Sequence, residues 1–500
     1  MRRPCIQLLV LGLGAFFAAR DMFAAPPAPM APGHPNIVFV LTDDQAEWTL
    51  GVSGHQQAHT PHLDRLAREG ARLTQVLVPT PVCSPARGSL FTSRYGTELG
   101  ILEFIPRPNH PEYSDETGTV GLERRFVTFA EVLARAGYTN GLFGKWHLGE
   151  WEGKSDRRFH PTNHGFHTFM GFTGGGTTPL DPPLEINGEV KRFQGLTDDI
   201  LTEHAIDFIG QARSQPFLAV LALRAPHGPW LPTAPEDQTP HEAYDPQIPN
   251  PDFPDLDVAR VKRMSREYAA SVSAVDRNVG RVLAALDRLK LAENTVVIFT
   301  SDHGYNMGHN GIYHKGNGIW VTKTKRPDRP NLSGKYRPNM YDLSLRTPAL
   351  VRWPGRIRPG ALIGETVSSL DWFPTLVAMA GEEMRGDEIV RGRSILPLLR
   401  GERIPGWDND FYGEYSMRIY CRTDLRMYRT ARWKLVRDFL NPTEDELYDL
   451  QADPAESRNR INDASDPAVR AAVAELDARI REKMRSIRDP LLGEIVQGRK

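Results

Sequence analysis

Four short apolar runs in the chain have the pattern of β-strands buried on both faces. The first, residues 35–42, is a continuous series of β-branched, aromatic and other apolar side chains without polar alternation. Residues 139–143, 217–223 and 295–300 are predicted to be further strands of this kind. Each run is followed by polar residues, which are Asp43-Asp44, Lys145-Trp-His147, Pro226-His227 and Asp302-His303.

Between these runs, apolar residues recur at helical spacing. The clearest stripe covers residues 261–289, where apolar side chains return every three or four positions. Strands that alternate with helices predict an α/β layered sheet with helices on both faces. Because ligands bind beyond the carboxyl ends of the strands in such sheets, we expect the four polar strand ends to meet in one place.

The pattern changes after about residue 400. Residues 433–438 and 446–450 have the pattern of short strands or turns, and an apolar stripe follows Asp466-Pro467, which is typical of a helix start. We therefore expect a catalytic domain over residues 34–400 and a smaller α+β subdomain over residues 401–500. The proline-rich, acidic stretch 232–257 lacks periodicity and is interpreted as a long surface loop.

Residues 1–33 have the pattern of an export signal. A short basic start precedes an apolar run over residues 6–19, and small residues and prolines follow. A membrane-spanning helix needs roughly 20 apolar residues, so this run is short for a span. The interpretation is a cleaved signal peptide and leader on a protein exported to a periplasmic, extracellular or lumenal compartment without stable membrane insertion. An uncleaved signal anchor is the alternative.

Composition limits the partners and the cysteine chemistry. The chain has 500 residues and a formal net charge of −1, so nothing favours nucleic acid as a partner and any anion binding must be local. Its three cysteines are Cys5, Cys83 and Cys421. If Cys5 leaves with the signal, Cys83 and Cys421 could form a disulfide in an oxidising compartment. The specialised surroundings of Cys83 favour another role.

Carboxylates follow two of the predicted strands. Asp43 and Asp44 would raise each other's pKa unless a cation neutralised them, and a hard divalent ion such as calcium or magnesium takes oxygen ligands. A turn and a helix cap are the alternative use of such a pair. Asp302 adds a third carboxylate at another strand end, which favours a metal site.

Cys83 lies where a helix is predicted to begin. Prolines precede it, and Pro85 falls within the first turn. The N-terminus of a helix favours anions, and Arg87 returns to the same side one turn later. A bare thiolate at this position would have a lowered pKa and could act as a nucleophile.

The segment Cys83-Ser-Pro-Ala-Arg87, followed by Gly88 and Thr92-Ser-Arg94, matches the C-x-P-x-R signature of the formylglycine-dependent sulfatases. The chain resembles a type I sulfatase of the alkaline phosphatase superfamily over residues 35–456, with its motifs in the expected order. The resemblance implies an alkaline-phosphatase-like layered sheet with helices on both faces and a smaller C-terminal α+β subdomain. The other motifs are Asp43-Asp44, Gly144-Lys-Trp-His-Leu-Gly149, Ala225-Pro-His-Gly228, Ser301-Asp-His-Gly304 and Gly308-His-Asn-Gly-Ile-Tyr-His-Lys315.

The resemblance implies an arylsulfatase-like sulfuric ester hydrolase that acts on a sulfated small molecule or glycan. During maturation a formylglycine-generating enzyme would oxidise Cys83 to Cα-formylglycine, whose hydrate attacks sulfur and then expels sulfate. Asp43, Asp44, Cys83, Asp302 and His303 would bind one divalent cation, usually calcium, with magnesium as the alternative. Arg87 and Lys145 would hold the hydrate, Lys315 would contact the sulfate, His227 would be the general acid and His147 the base. Asp302 is also a candidate acceptor of the attacking hydroxyl's proton.

His303 departs from the commonest family pattern, in which asparagine follows the metal-binding aspartate. Imidazole nitrogen is a poorer calcium ligand than oxygen, so His303 is expected to ligate weakly or to hydrogen-bond the sulfate. Two other functions are alternatives to a sulfatase. They are a phosphomonoester or phosphonate monoester hydrolase of the same superfamily, and an anion-binding protein in which Cys83 stays a thiol.

The residues that would select the alcohol carry weaker signals. His160, His164, His167 and the loop 174–178 are candidates for the substrate pocket, although the histidines are interpreted as structural. A sulfated carbohydrate is expected by analogy with the family and not from any motif.

Overall fold

The structure is a computed structural model that describes residues 34–107, 110–111, 120–149, 157–386 and 388–496. The predicted signal peptide and leader, residues 1–33, lie outside the described residues. Among the residues that are described, no helix combines the length and apolarity needed to cross a membrane.

The described strands form four sheets. In chain order they are β1 (Asn36–Thr42), β2 (Ala71–Leu73), β3 (Val76–Leu77), β4 (Thr139–Lys145), β5 (Thr168–Phe172), β6 (Pro183–Ile186), β7 (Glu189–Arg192), β8 (Phe217–Ala222), β9 (Thr295–Ser301), β10 (Asn306–Met307), β11 (Ile312–His314), β12 (Asn317–Trp320), β13 (Tyr336–Pro338), β14 (Arg346–Thr347), β15 (Ala349–Arg352), β16 (Ala361–Ile363), β17 (Val367–Ser368), β18 (Phe411–Met417), β19 (Thr423–Arg429), β20 (Trp433–Asp438) and β21 (Glu446–Asp449).

The described α-helices follow the same order. They are α1 (Pro61–Glu69), α2 (Cys83–Thr92), α3 (Gly96–Leu99), α4 (Phe129–Arg135), α5 (Thr197–Ala212), α6 (Pro235–Glu242), α7 (Val258–Arg288), α8 (Asp342–Leu345), α9 (Trp372–Met379), α10 (Leu396–Leu399), α11 (Pro467–Ser486) and α12 (Pro490–Val496).

A ten-stranded mixed sheet in the order β16-β2-β15-β9-β1-β8-β4-β5-β6-β7 forms the centre of the fold. Within it, β9, β1, β8 and β4 are neighbours and run parallel. They are the four strands predicted from the apolar runs, and their bounds differ from the prediction by a residue or two. The predicted α/β layered architecture is confirmed.

Both faces of the sheet are covered by helices. Along β1, Ile37 and Phe39 belong to one apolar core, whereas Val38 and Val40 belong to the other. The first core includes side chains of α2, α4 and α9, and the second includes side chains of α1, α5 and α7. Burial on both faces explains why β1 lacks polar alternation.

The stretch 232–257 is not the continuous loop that the sequence suggested, because it contains α6. In this helix Asp237 is buried and lies 2.9 Å, through Oδ1, from Nε of Arg277 on α7. This ion pair depends on a distant helix, so the local pattern could not reveal it. The stripe predicted over 261–289 begins earlier, at Val258, because the side chain of Asp257 caps the helix by accepting from the N–H of Arg260 at 3.0 Å.

The C-terminal part contains the expected mixture of strands and a helix. Strands β18 to β21 form a four-stranded antiparallel sheet. Leu476 and Ile480 of α11 lie in one apolar cluster with Leu435 of β20 and Leu447 of β21. Strands β18 and β19 escaped the sequence analysis because their polar side chains are buried as thoroughly as their apolar ones.

Candidate active site

The four parallel strands end at one edge of the central sheet, where they bring the predicted polar segments together. Main-chain hydrogen bonds tie these ends to each other: the N–H of Asp302 donates to Thr42 O at 3.0 Å, and the N–H of Asp43 donates to Ala225 O at 3.3 Å. Asp44 adopts a positive φ of 68°, a conformation that Asp tolerates better than most residues.

Cys83 faces this edge as the first residue of α2 and is buried. Its Sγ lies 2.9 Å from Nζ of Lys315, 3.4 Å from Nε2 of His303 and 3.6 Å from Oδ1 of Asp43. The helix start therefore presents this side chain to residues that follow three other elements.

Three buried carboxylates face three buried cations, a set that we call the catalytic cluster. Lys145 Nζ lies 2.6 Å from Asp43 Oδ2, Arg87 Nε lies 3.0 Å from Asp302 Oδ2, and Lys315 Nζ donates to Asp44 Oδ1. Burial acts to raise the pKa of Asp43 and of Asp44, but the charges of Lys145 and Lys315 hold both pKa values well below the usual range. Both carboxylates are therefore ionised at neutral pH.

The thiol of Cys83 differs from the reactive thiolate that its position suggested. Burial raises its pKa to about 12, although Lys145 and Lys315 oppose the shift. The unmodified side chain is thus a protonated thiol at neutral pH, and the prediction of a lowered pKa is wrong because desolvation exceeds the effect of the helix terminus. Cys83 and Cys421 are both free and buried, so they form no disulfide with each other.

The residues beside Cys83 fit a divalent cation. One ligand atom from each of Asp43, Asp44, Cys83 and His303 lies within 4.8 Å of the others. The Nδ1–H of His303 donates to Gly304 O at 3.0 Å, so the neutral ring directs the lone pair of Nε2 toward Asp44 Oδ1, 3.3 Å away. Burial lowers the pKa of His303. A cation between the lone pair and the carboxylate would remove their repulsion.

Asp302 lies beside this group of four and not within it. Its Oδ2 accepts from Arg87, and its Oδ1 accepts from the N–H of Asp44 at 3.2 Å. Oδ1 is also 3.3 Å from His303 Nε2, so the carboxylate remains next to the same space.

Two further histidines flank the cluster. His147 donates from Nε2 to Ile105 O at 2.9 Å, and its buried Nδ1 has no hydrogen-bond partner among the described residues. Burial and, to a lesser extent, Lys145 hold the pKa of His147 well below its ordinary value, so Nδ1 is a bare acceptor. His227 donates from Nδ1 to Gly228 O at 2.7 Å, which leaves Nε2 4.0 Å from Asp44 Oδ2. One histidine is thus arranged to accept a proton, and the other exposes one nitrogen toward the cluster.

A cavity of about 530 Å³ opens over Cys83. Cys83, His147, His227 and Lys315 all line it, together with the glycine loop at 175–178. A Cβ atom at Gly175 would lie only 3.1 Å from the His147 ring, so glycine allows this close approach.

The three histidines at 160–167 do not line the cavity. His160 pairs with Glu185, His164 packs against Trp146, and His167 accepts the N–H of Asn140. Their interpretation as structural residues agrees with these contacts. Sequence reasoning missed four other residues that line the cavity, Phe104, Arg107, Tyr336 and Tyr420, which belong to no recognisable motif.

Comparison with known proteins gives a consistent pattern. The family model described as Sulfatase matches residues 35–382, and that described as N-sulphoglucosamine sulphohydrolase, C-terminal, matches residues 336–486. Steryl-sulfatase of Rattus norvegicus is 32% identical over 511 aligned positions, which cover 86% of this chain and 80% of that protein. N-acetylgalactosamine-6-sulfatase of Mus musculus is 29% identical over an alignment that covers 74% of this chain and 68% of that protein.

Among solved structures, that of BT4656 in complex with its substrate D-glucosamine-2-N,6-O-disulfate superimposes with a TM-score of 0.74 at 22% sequence identity. The match covers 91% of this chain and 99% of the other. At this identity the likeness establishes a shared fold.

Proposed function

The chain belongs to the sulfatase family and is a sulfuric ester hydrolase, and from this premise we propose that it desulfates a sulfated carbohydrate through a formylglycine hydrate derived from Cys83. The observation that carries the proposal is the position of Cys83. It begins α2 at the floor of the cavity, between the carboxylates and cations of the catalytic cluster.

The state of the thiol supports the need for modification. A protonated, buried thiol is a poor nucleophile at neutral pH. The formylglycine hydrate supplies one hydroxyl for attack on sulfur and a second for release of sulfate. Arg87 and Lys145, each of which also pairs with a neighbouring carboxylate, hold this group. Asp302 is the proposed acceptor of the attacking hydroxyl's proton.

A divalent cation, proposed to be calcium, completes the charge balance. Asp43, Asp44 and His303 would hold it with the modified residue 83, and Asp302 would support it from beside the group. When bound, it stabilises negative charge on the sulfate oxygens. Without it, the three carboxylates already neutralise Arg87, Lys145 and Lys315, so an anionic substrate would gain little net attraction.

Proton transfer is assigned to the two flanking histidines. His227 takes up a proton at Nε2, which faces Asp44 Oδ2 at 4.0 Å, and the resulting imidazolium donates that proton to the departing alcohol. His147, whose Nδ1 is bare, takes the proton of the second hydroxyl when sulfate leaves. Lys315 contacts the sulfate, because its Nζ lies between Asp44 and residue 83.

The carbohydrate assignment is supported by the cavity wall. Tyr336 and Tyr420 stack with ring centroids 4.5 Å apart, and Phe104 packs against Tyr420. Aromatic faces with polar edges suit a ligand that has both C–H and hydroxyl surfaces. Several relatives are named for hexosamine sulfates, which agrees with such a substrate. The phosphomonoester or phosphonate alternative is not favoured, because the matched family and relatives are sulfatases.

We also propose that residues 1–33 direct export and are removed, and that the catalytic domain ends near residue 400, before the sheet that begins at β18. A formylglycine-generating enzyme would act on Cys83 during maturation.

The proposed activity is tested by comparing kcat/KM for an aryl sulfate and the matching aryl phosphate, using protein produced together with a formylglycine-generating enzyme. We expect a strong preference for the sulfate. Equal rates, or a preference for the phosphate, would overturn the assignment.

A further inference from the structure

Arg107 is a cation in the substrate cavity to which the proposed reaction assigns no role. It lines the same cavity as Cys83 and His227. A Cβ atom placed on Gly176 would lie 3.6 Å from Nη2 of Arg107 and 3.9 Å from Cε1 of His227. The guanidinium and the imidazole therefore face one small space, which the missing side chain of Gly176 leaves open.

Among the described residues, no carboxylate compensates the charge of Arg107. In the part of the chain that the structure describes, no Asp or Glu oxygen lies within 4.0 Å of its guanidinium. Each cation of the catalytic cluster, in contrast, is within 3.0 Å of a carboxylate oxygen. The cluster is arranged for the sulfate that is cleaved, whereas Arg107 stands beside His227, on the side where the departing alcohol would lie.

We propose that Arg107 binds a second anionic group of the substrate, a sulfate or a carboxylate on the part that leaves as the alcohol. The preferred substrates are then saccharides with at least two anionic groups. A guanidinium forms paired hydrogen bonds with the oxygens of either group, so it is a specificity-determining residue for both. This inference rests on the proposed sulfatase function.

The experiment compares kcat and KM of the wild type, Arg107→Ala and Arg263→Ala on three substrates. These are an aryl sulfate without a second anion, a disulfated hexosamine, and a monosulfated disaccharide that contains a uronate. Arg263 is an exposed arginine on α7 and controls for the loss of one positive charge. All variants are produced together with a formylglycine-generating enzyme, and the fraction of Cys83 converted to formylglycine is measured for each.

For Arg107→Ala we expect KM to rise roughly 10- to 100-fold on a substrate with a second anion, the effect of one lost charge-assisted interaction. On the aryl sulfate KM should stay within about twofold, and Arg263→Ala should resemble the wild type throughout. A loss confined to the disulfated hexosamine assigns a sulfate, and one confined to the uronate assigns a carboxylate. An equal loss on all substrates, or none on any, overturns the inference.

Gly176→Ala gives an independent test that removes no charge. Gly176 has no left-handed backbone angle, and the new methyl group would meet its neighbours at ordinary contact distances, so the variant is expected to fold. The methyl group would occupy the space between Arg107 and His227 and raise KM selectively for the substrates with a second anion. A similar rise for the aryl sulfate would contradict the proposal.

Failure of this inference is distinguishable from failure of the proposed function. If the modified wild type hydrolysed none of the sulfates, both would fall. If it hydrolysed them with no selective effect of either variant, only the role of Arg107 would be rejected.

Discussion

The catalytic cluster has a counterpart of similar chemistry between α8 and the C-terminal sheet. We call this counterpart the interface cluster, and it consists of Asp342, Arg429, Lys434 and Glu456. Lys434 Nζ lies 2.9 Å from Asp342 Oδ1 and 2.6 Å from Glu456 Oε1, and Arg429 Nη2 lies 3.1 Å from Asp342 Oδ2. As in the catalytic cluster, cations hold the pKa of a buried carboxyl, that of Asp342, below its usual range against the effect of burial.

The two clusters differ in access. Lys315 of the catalytic cluster lines the substrate cavity, as does the neighbouring Cys83. In the same cluster, the buried Nη2 of Arg87 has no hydrogen-bond partner among the described residues. No member of the interface cluster lines that cavity. Shifted pKa values therefore occur at both places and do not identify the active site by themselves. The active site is identified by the cavity and by Cys83, the residue available for modification.

The largest expected effect concerns activity alone. Cys83→Ala removes the residue that becomes the nucleophile, so turnover of an aryl sulfate should fall at least about 1,000-fold. The thermal midpoint should change little, because one small buried group is lost. Activity within tenfold of the wild type would show that residue 83 does not carry the reaction.

The second expected effect is the reverse, a loss of stability with little change in catalysis. Lys434→Met leaves Asp342 and Glu456 buried with less compensation, which should reduce the free energy of unfolding by about 3–5 kcal/mol. Urea denaturation measures this, with the exposed Lys323→Met as the control. The kcat of the folded fraction should be retained, and a large drop in kcat would mean that the interface cluster is coupled to the reaction.

The third effect concerns the metal. We expect stoichiometric calcium in the purified protein, loss of activity after chelation, and recovery with calcium. Since imidazole suits zinc better than calcium, His303→Asn should raise the calcium affinity relative to zinc by about 10-fold in titration calorimetry. Stoichiometric zinc or manganese, with no recovery by calcium, would refute the assignment of the ion.

The smallest effect is a pH dependence of stability at Glu103, behind the cavity wall. Burial raises the pKa of Glu103 to about 7, although its carboxylate accepts the N–H groups of Arg418 and Ile419. The folded protein therefore binds this proton at a higher pH than the unfolded chain, and the contribution of Glu103 to stability rises as the pH falls from about 7 toward the ordinary value.

Replacing Glu103 by Gln removes this contribution. The difference in free energy of unfolding between the wild type and Glu103→Gln should change by about 1–3 kcal/mol between pH 8 and roughly 4.5, in favour of the wild type at low pH. Urea denaturation across this range measures it, with the exposed Glu293→Gln as the control. A constant difference would show that Glu103 is not protonated in this range.

The sequence was most informative where a motif directly follows a buried strand. Asp43, Lys145, His227 and Asp302 could be placed together, because the carboxyl ends of parallel strands share one edge of the sheet. The strand order itself depends on pairing between distant segments, which no local periodicity contains.

Other features depended on tertiary contacts. Helix α6 is supported by an ion pair to Arg277, and the raised pKa of Cys83 reflects burial that the sequence does not display. The wall residues Arg107, Tyr336 and Tyr420 come from separate loops and strands, so the substrate side of the cavity could not be predicted.

The central claim is that Cys83 works as formylglycine. The most direct test measures the fraction of residue 83 converted to formylglycine by peptide mass, and the specific activity on an aryl sulfate, in preparations made with varying amounts of the modifying enzyme. The account predicts activity proportional to the converted fraction and extrapolating to zero when the thiol is intact. Full activity in protein whose Cys83 is unmodified would contradict it.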